Sequence, residues 1–171
     1  MFLLIQFILL VLLFSIQSAV LGGFSVAGIV PDLALIYVVY CGIFFPGSRG
    51  AVMGFVVGFI QDCLSGGLLG INTLSKSLIG FFFSTLKDKL FVEGILPICL
   101  FVVASSIFDG LIFYVIFISL LKGDVGAQFL YTKLPIFALY NAFLAPLIFF
   151  ILNKNRKWIL DKIPTNSFRS I

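Results

Sequence analysis

The feature of this sequence that most constrains its fold is a series of long apolar stretches joined by short connections. A transmembrane helix needs about 20 mostly apolar residues to cross a hydrocarbon core ~30 Å thick. Six such stretches can be drawn, approximately at 2–21, 32–46, 50–66, 72–86, 94–121 and 131–152. We therefore predict an all-α integral membrane protein, a compact bundle of six transmembrane helices that forms a single domain over residues 1–171.

Composition supports this prediction, because 61% of the residues are hydrophobic and only 11% are charged. A soluble domain of this length carries about a quarter charged residues.

The first stretch is a poor signal peptide, since it has no basic residues before it and its apolar run exceeds the usual ~7–15 residues. The short segment QSAVLGG near its end does offer the small residues that a cleavage site needs.

Basic residues predict the orientation of the bundle. With the N-terminus inside, eight of the 11 basic residues fall on the cytoplasmic side, two fall outside (Lys122 and Lys133), and Lys76 lies within a stretch. Cytoplasmic loops carry an excess of lysine and arginine, so we predict a multi-pass membrane protein with both termini in the cytoplasm. The net charge of +4 and the basic tail at 153–171 indicate contact with anionic lipid headgroups rather than nucleic acid.

Three glycines, Gly50, Gly54 and Gly58, are spaced four apart in the third stretch and therefore share one helix face. Association of helices in lipid relies on close backbone packing, which small residues permit. We favour packing of this glycine stripe against the protein's own helices. The alternative is a groove that receives the transmembrane helix of a partner.

Two opposite charges are predicted at similar depth in neighbouring helices. Asp62 lies ~18 Å along a helix that starts near Gly50, about one turn from the outer end. Lys76 lies about one turn from the same end in the next helix. Charged residues within membranes face the bundle interior and pair with one another, which predicts an ion pair between Asp62 and Lys76.

The segment LSGGLLGIN, which links these two helices, is apolar yet rich in glycine. Irregular backbone at membrane depth must be buried in protein or line a cavity. We expect a tight loop containing Gly66 and Gly70, with Asp62, Ser65 and Asn72 binding its free amides and carbonyls.

Other polar residues and prolines mark helix ends or helix contacts. Pro31 and Asp32 open the second stretch, because proline suits the first turn and aspartate suits the positive end of the helix dipole. Asp109 and Asn141 are nearer the middle of the fifth and sixth stretches, where a hydrogen bond could join them. Pro146 removes one hydrogen bond within its helix and predicts a kink there.

No catalytic, cofactor-binding or metal site is predicted. The chain has no histidine, so a metal site or a serine–histidine nucleophile has little to work with. Its three cysteines lack a CxxC spacing and are interpreted as small apolar packing residues.

Three segments resemble the rod shape-determining MreD family. They are VPDLALIYVVY (30–40), GFVVGFIQDCLSGGLLGINTLSKSLIG (54–80) and NAFLAPLIFFILNKNRK (141–157). The most specific part is the spacing GFxxGxxxDxxSGxxLG, which begins at Gly54 and ends at Gly70. The length, the six stretches and the basic C-terminus also match, so the resemblance covers nearly the whole chain.

The resemblance implies a non-enzymatic subunit of the bacterial cell-elongation complex, located in the inner (cytoplasmic) membrane. Members of this family partner the single-span protein MreC and are connected to MreB filaments inside the cell. Outside, they are connected to a peptidoglycan glycosyltransferase and its penicillin-binding transpeptidase. The family is also similar in fold to the vitamin-binding S components of energy-coupling-factor transporters.

Two other functions fit parts of the sequence. A vitamin-binding S component would use the same fold with a pocket under the outer loops, but the first stretch lacks the alanine-x-x-x-alanine pattern of S components. An intramembrane aspartyl protease would use Asp62 and Asp109 as a carboxylate pair that shares a proton. Their estimated depths differ and the glycine-x-glycine-aspartate signature is absent, so this interpretation is disfavoured.

Overall fold

A computed structural model describes residues 10–15, 17, 25, 28–45, 47–66, 69–89, 92, 94–121 and 129–154. Over these residues the chain is mainly helical and forms no strand, which confirms an all-helical fold. The helices are α1 (residues 10–15 and 17), α2 (Leu33–Phe44), α3 (Arg49–Ser65), α4 (Ile71–Leu86), α5 (Ile95–Leu121) and α6 (Leu134–Lys154). A 3-10 turn, Lys87–Lys89, follows α4, and a π-helical turn, Phe129–Lys133, precedes α6. Most of the stretch 2–21 and of the tail 153–171 lies outside the described residues.

The central element of the bundle is α2, which contacts α3, α4, α5 and α6. All residues from Leu33 to Ile43 are buried. With 12 residues, α2 is about 18 Å long, so it is much shorter than a bilayer core. It ends at Phe44 because the sequence continues with Pro46, which pushes the preceding residue Phe45 into the observed extended conformation.

Helices α3 and α4 form a closely packed hairpin, and the glycine stripe lies inside it. A Cβ atom added at Gly54 would collide with the carbonyl oxygen of Lys76, and one at Gly58 would lie 2.6 Å from the Cα of Thr73. A Cβ at Gly50 would lie 2.9 Å from the carbonyl oxygen of Gly80. The stripe therefore packs against the backbone of α4, which is the internal packing that we favoured over a partner groove.

Two helical segments, Ile95–Ser119 and Phe129–Lys154, are long and apolar enough to cross a membrane. Helix α2 is apolar but shorter, and α3 and α4 have 17 and 16 residues. Large apolar side chains are exposed along α3 to α6, including Phe55, Phe81, Leu100 and Phe143. Extensive exposed apolar surface is typical of membrane or protein contact. The crossing of the membrane by all six stretches stays a prediction.

Helices α2, α4 and α6 begin at the same end of the bundle, which we call the Asp32 end. Asp32 precedes α2 there, Gly70 precedes α4, and Leu134 begins α6. The asymmetry of basic residues predicts that this end faces the outside of the cell. The charged residues predicted from the sequence gather near it.

Candidate functional site

The candidate site is a buried network of polar side chains with Lys76 at its centre. Lys76 is completely buried in the second turn of α4. Its ammonium lies 2.9 Å from Oδ2 of Asp32 and 3.6 Å from Oδ1 of Asp109. It also donates a 3.0 Å hydrogen bond to Oδ1 of Asn72. A single lysine thus joins α4 to the start of α2 and to the middle of α5.

Asp32 caps α2 and binds two further side chains. Its Oδ1 accepts a 3.1 Å hydrogen bond from the backbone N–H of Leu35, which satisfies an otherwise free amide of the first turn. Its Oδ2 accepts a 3.1 Å bond from Nε2 of Gln61 on α3 as well as the Lys76 ammonium. The predicted helix-opening role of Asp32 is therefore confirmed, and Pro31 beside it is buried.

Asn141 connects α6 to this cap. Its Oδ1 accepts a 2.8 Å hydrogen bond from the backbone N–H of Asp32, and its Nδ2 donates a 2.9 Å bond to Oγ of Ser106. The predicted hydrogen bond between Asn141 and Asp109 is wrong, because Ser106, one turn earlier on α5, lies opposite Asn141. Asp109 instead accepts a hydrogen bond from Oγ of Ser75 and contacts Lys76.

We expected Asp109 to lie nearer the middle of the bundle than Asp62, but its contacts with Ser75 and Lys76 bring it close to the Asp32 end. Asp109 lies 14 residues after the start of α5, or about 21 Å along it. Asp62 lies 13 residues after the start of α3, or about 20 Å along it. Because α5 is 27 residues long, a residue in its middle still reaches the Asp32 end.

The predicted ion pair between Asp62 and Lys76 is wrong, because the first residues of α4 occupy the Asp62 carboxylate. Asp62 accepts hydrogen bonds from the backbone N–H groups of Gly70, Asn72 and Thr73 at 2.9–3.1 Å. The Nδ2 of Asn72 and the Oγ1 of Thr73 add bonds of 3.0 and 2.6 Å. Asn72 also accepts from Lys76, so it bridges the two charges that we expected to meet.

The link between α3 and α4 is anchored by Asp62 and Ser65, as predicted, whereas the Asn72 side chain binds Asp62 and Lys76 instead of the backbone of the link. Ser65 donates from its hydroxyl to the carbonyl of Asp62 at 3.2 Å, and Gly66 ends α3 in the left-handed conformation with φ of 62°. Gly70 has φ of 105°, a value that residues with a side chain rarely adopt. Asp62 therefore closes the turn that follows α3 by binding the amides that open α4.

Pro146 lies inside α6 and cannot donate a hydrogen bond to the carbonyl of Ala142. The thiol of Cys99 on α5 donates to that carbonyl at 3.5 Å. Cys99 is thus a weak donor in a helix contact, a role that the sequence did not suggest. None of the three described cysteines forms a disulfide; Cys41 is buried and Cys63 is exposed.

Sequence reasoning missed Gln61, Ser75 and Ser106, all of which contribute to the network. Each is a polar residue inside an apolar stretch and lies within three positions of a residue that was singled out. Polar side chains close to the charged residues of apolar stretches were the available signal, since buried polar groups need hydrogen-bond partners.

The network does not resemble a protease dyad or a metal centre. Asp62 and Asp109 are bound by different donors and share none of them. In the part of the chain that the structure describes, no three histidine, cysteine, aspartate or glutamate side chains are grouped to hold a metal ion.

A cavity of about 270 Å³ adjoins the network at the Asp32 end. Asp109 and Asn72 of the network line it, and so does Lys133. Its remaining walls come from the residues before α2 and from the adjoining parts of α4, α5 and α6: Gly28, Ile29, Ile71, Gly110, Phe113, Phe129, Leu134 and Phe137. The cavity is therefore lined by two charged side chains, Asp109 and Lys133, and by mostly apolar residues.

Comparison with known proteins gives one family match. The model of the family described as rod shape-determining protein MreD matches residues 1–158. Neither the curated proteins nor the solved structures contain a significant match to the chain.

Proposed function

Since the chain belongs to the rod shape-determining protein MreD family, we propose that it is a non-enzymatic, multi-pass subunit of the rod complex in the bacterial inner membrane. In this proposal it binds the single-span protein MreC and helps to regulate peptidoglycan synthesis and cell shape. Contact with the elongation glycosyltransferase and the penicillin-binding transpeptidase is direct or passes through MreC. Contact with MreB is indirect.

The observation that carries this proposal is the extent of the family match. Residues 1–158 include every described helix, so the assignment applies to the whole bundle rather than to one motif. A role in rod shape determination follows from the family. The named partners are the further step that we propose.

The arrangement of the charged groups supports a binding role over a catalytic one. Lys76, Asp32 and Asp62 are buried, and each is occupied by contacts that hold helix ends together. The glycine stripe is likewise occupied by α4. Binding of a partner helix therefore falls to the outward faces of the bundle, where large apolar side chains are exposed.

One such face lies on α3, on the side away from the glycine stripe. Val52, Phe55, Val56 and Phe59 are exposed at spacings of three and four residues, and the rings of Phe55 and Phe59 stack with centroids 6.3 Å apart. Residues at these spacings share one side of a helix. A transmembrane helix of MreC would pack well against such a ridge.

Affinity capture of the tagged full chain from native membranes tests the proposal. We expect MreC among the captured proteins, and we expect rod-shaped cells depleted of the chain to become round. A Phe55→Ala, Phe59→Ala double variant should lose more MreC than a Phe143→Ala, Phe150→Ala variant, which removes two exposed phenylalanines from α6. Rod-shaped growth without the chain, or capture that never includes MreC, would refute the proposal.

A vitamin-binding S component remains the second candidate, because the cavity lies where such a pocket is expected, under the predicted outer loops. Its volume of about 270 Å³ is just below the ~300–1,000 Å³ of typical ligand pockets. Capture of cytoplasmic transporter ATPases in place of MreC, together with a co-purified vitamin, would favour this candidate.

A further inference from the structure

The cavity at the Asp32 end lies beside the chain that leads into the short central helix. Helix α2 spans about 18 Å, so the chain before it, at Gly28 and Ile29, is irregular backbone within the depth of the bundle. Such backbone is tolerated at membrane depth where it is buried in protein or lines a cavity. Gly28 has φ of 75°, which fits a tight bend at this point.

Asp109, which lines the cavity, has one carboxylate oxygen without a hydrogen-bond donor among the described residues. Both contacts of Asp109, from Ser75 and from Lys76, are made to its Oδ1. Its Oδ2 accepts no hydrogen bond from any residue that the structure describes, and 14% of the side chain is exposed. This oxygen is therefore available to a donor that enters the cavity.

The charges of the network do not balance. Lys76 carries one positive charge, whereas Asp32 and Asp109, which it binds, carry two negative charges. Buried charges are stable when they are paired, so the excess negative charge beside the cavity favours a cation there. Phe113, Phe129 and Phe137 line the same cavity, and aromatic faces attract ammonium groups.

A second charged residue, Lys133, also lines the cavity and carries a positive charge. Lys133 is exposed and makes no ion pair with the described residues. An occupant that satisfies both charged side chains must carry a positive group for Asp109 and a negative group for Lys133. Helices α5 and α6, which supply walls of the cavity, also carry large exposed apolar side chains, so we take the occupant from the surrounding lipid.

We propose that the cavity binds a phospholipid headgroup that contains both a primary ammonium and a phosphate. The ammonium donates to Oδ2 of Asp109, and the phosphate binds Lys133. A primary ammonium is required because a quaternary ammonium has no N–H to donate. The small volume of the cavity accommodates a headgroup of this size and leaves the acyl chains against the exposed apolar helices.

The full chain in nanodiscs tests this proposal by native mass spectrometry of the retained lipid. In mixtures of equal amounts, we expect more retained phosphatidylethanolamine than phosphatidylcholine or phosphatidylglycerol. Equal retention of phosphatidylethanolamine and phosphatidylcholine would overturn the role of the primary ammonium. Stronger retention of phosphatidylglycerol would overturn the role of Asp109.

Two lysine variants separate the site from general attraction to lipid. Lys133→Gln should lower the retention of phosphatidylethanolamine by roughly threefold, the size of an exposed ion pair. Lys154→Gln removes the same charge from the opposite end of α6 and should leave retention unchanged. Equal losses in the two variants would mean that no specific site holds the lipid.

The source of the headgroup is tested with O-phosphoethanolamine, the same chemistry without acyl chains. If O-phosphoethanolamine competes with phosphatidylethanolamine and lowers its retention, the result supports a lipid headgroup in the cavity. Thermal stabilisation by O-phosphoethanolamine in detergent, with no preferential retention of the lipid, would show a soluble source and overturn the lipid one. Asp109→Asn should lower lipid retention by roughly tenfold, since it removes a charge-assisted hydrogen bond.

Discussion

Replacement of Lys76 by methionine should destabilise the bundle more than any other single loss of a described lysine. The change keeps an unbranched side chain of similar length but removes the ammonium. Asp32 and Asp109 then lose their shared cation while both remain in the interior. Removal of one partner from a buried ion pair typically costs about 3–5 kcal/mol, and we expect a loss in this range.

Double-mutant cycles should resolve which carboxylate Lys76 binds. Asp32 lies 2.9 Å from the ammonium and Asp109 lies 3.6 Å from it, so we expect the larger coupling with Asp32. Asp62 reaches Lys76 only through Asn72 and should show the smallest coupling. Asparagine is the right replacement at position 32, because it keeps the helix cap while it removes the charge.

The assay is reversible unfolding of the purified chain in mixed detergent, followed by circular dichroism or fluorescence. Lys154→Met serves as the control, since Lys154 is exposed at the end of α6 and its loss should change stability by less than about 0.5 kcal/mol. A Lys76–Asp62 coupling as large as the Lys76–Asp32 coupling would refute the network described above. A Lys76→Met loss no larger than the control would refute it as well.

Three further predictions follow from other parts of the bundle. Gly54→Leu should lower the free energy of unfolding by at least ~1–3 kcal/mol, because the new side chain meets the backbone of α4. Val56→Leu, on the exposed side of α3, should leave stability nearly unchanged. If Gly54→Leu leaves stability unchanged but abolishes MreC capture, internal packing of the stripe is contradicted. Asp62→Ala should speed amide hydrogen exchange at the start of α4, where the carboxylate accepts three backbone N–H groups, and unchanged exchange there would count against that anchor. In a variant without native cysteines, Asp124→Cys should be labelled from outside and Asn155→Cys should not; labelling of Asn155→Cys alone would reverse the orientation.

The sequence allowed the helices and their closest contacts to be predicted. The ends of the apolar stretches predicted the ends of helices α2 to α6 to within about three residues, because polar residues, glycines and prolines interrupt the apolar sequence there. The four-residue spacing of Gly50, Gly54 and Gly58 indicated a packed face, since small residues on one side of a helix let backbones approach. Asp32 at a helix start and Asp62 before a glycine-rich link were also interpreted correctly.

The partners of the buried charges could not be predicted from depth alone. Depth along a helix gives the distance from its end but not the direction of a side chain around its axis, nor which helices are neighbours. Lys76 was therefore paired with the carboxylate on the adjacent helix in sequence, whereas α2 and α5 supply its partners in the bundle. The amides at the start of α4 had already satisfied Asp62, a local competition that the estimate of depth did not consider.

The shortness of α2 and the imbalance of charge at its start belong to one arrangement. A longer α2 would extend its backbone into the space that Gly28 and Ile29 now border, and the cavity would close. Asp109 would then add one uncompensated negative charge beside Asp32 in a dry interior, where no other described cation reaches it. The cavity gives the free oxygen of Asp109 access to water or to an ammonium group, and this access allows two carboxylates to share the single buried lysine.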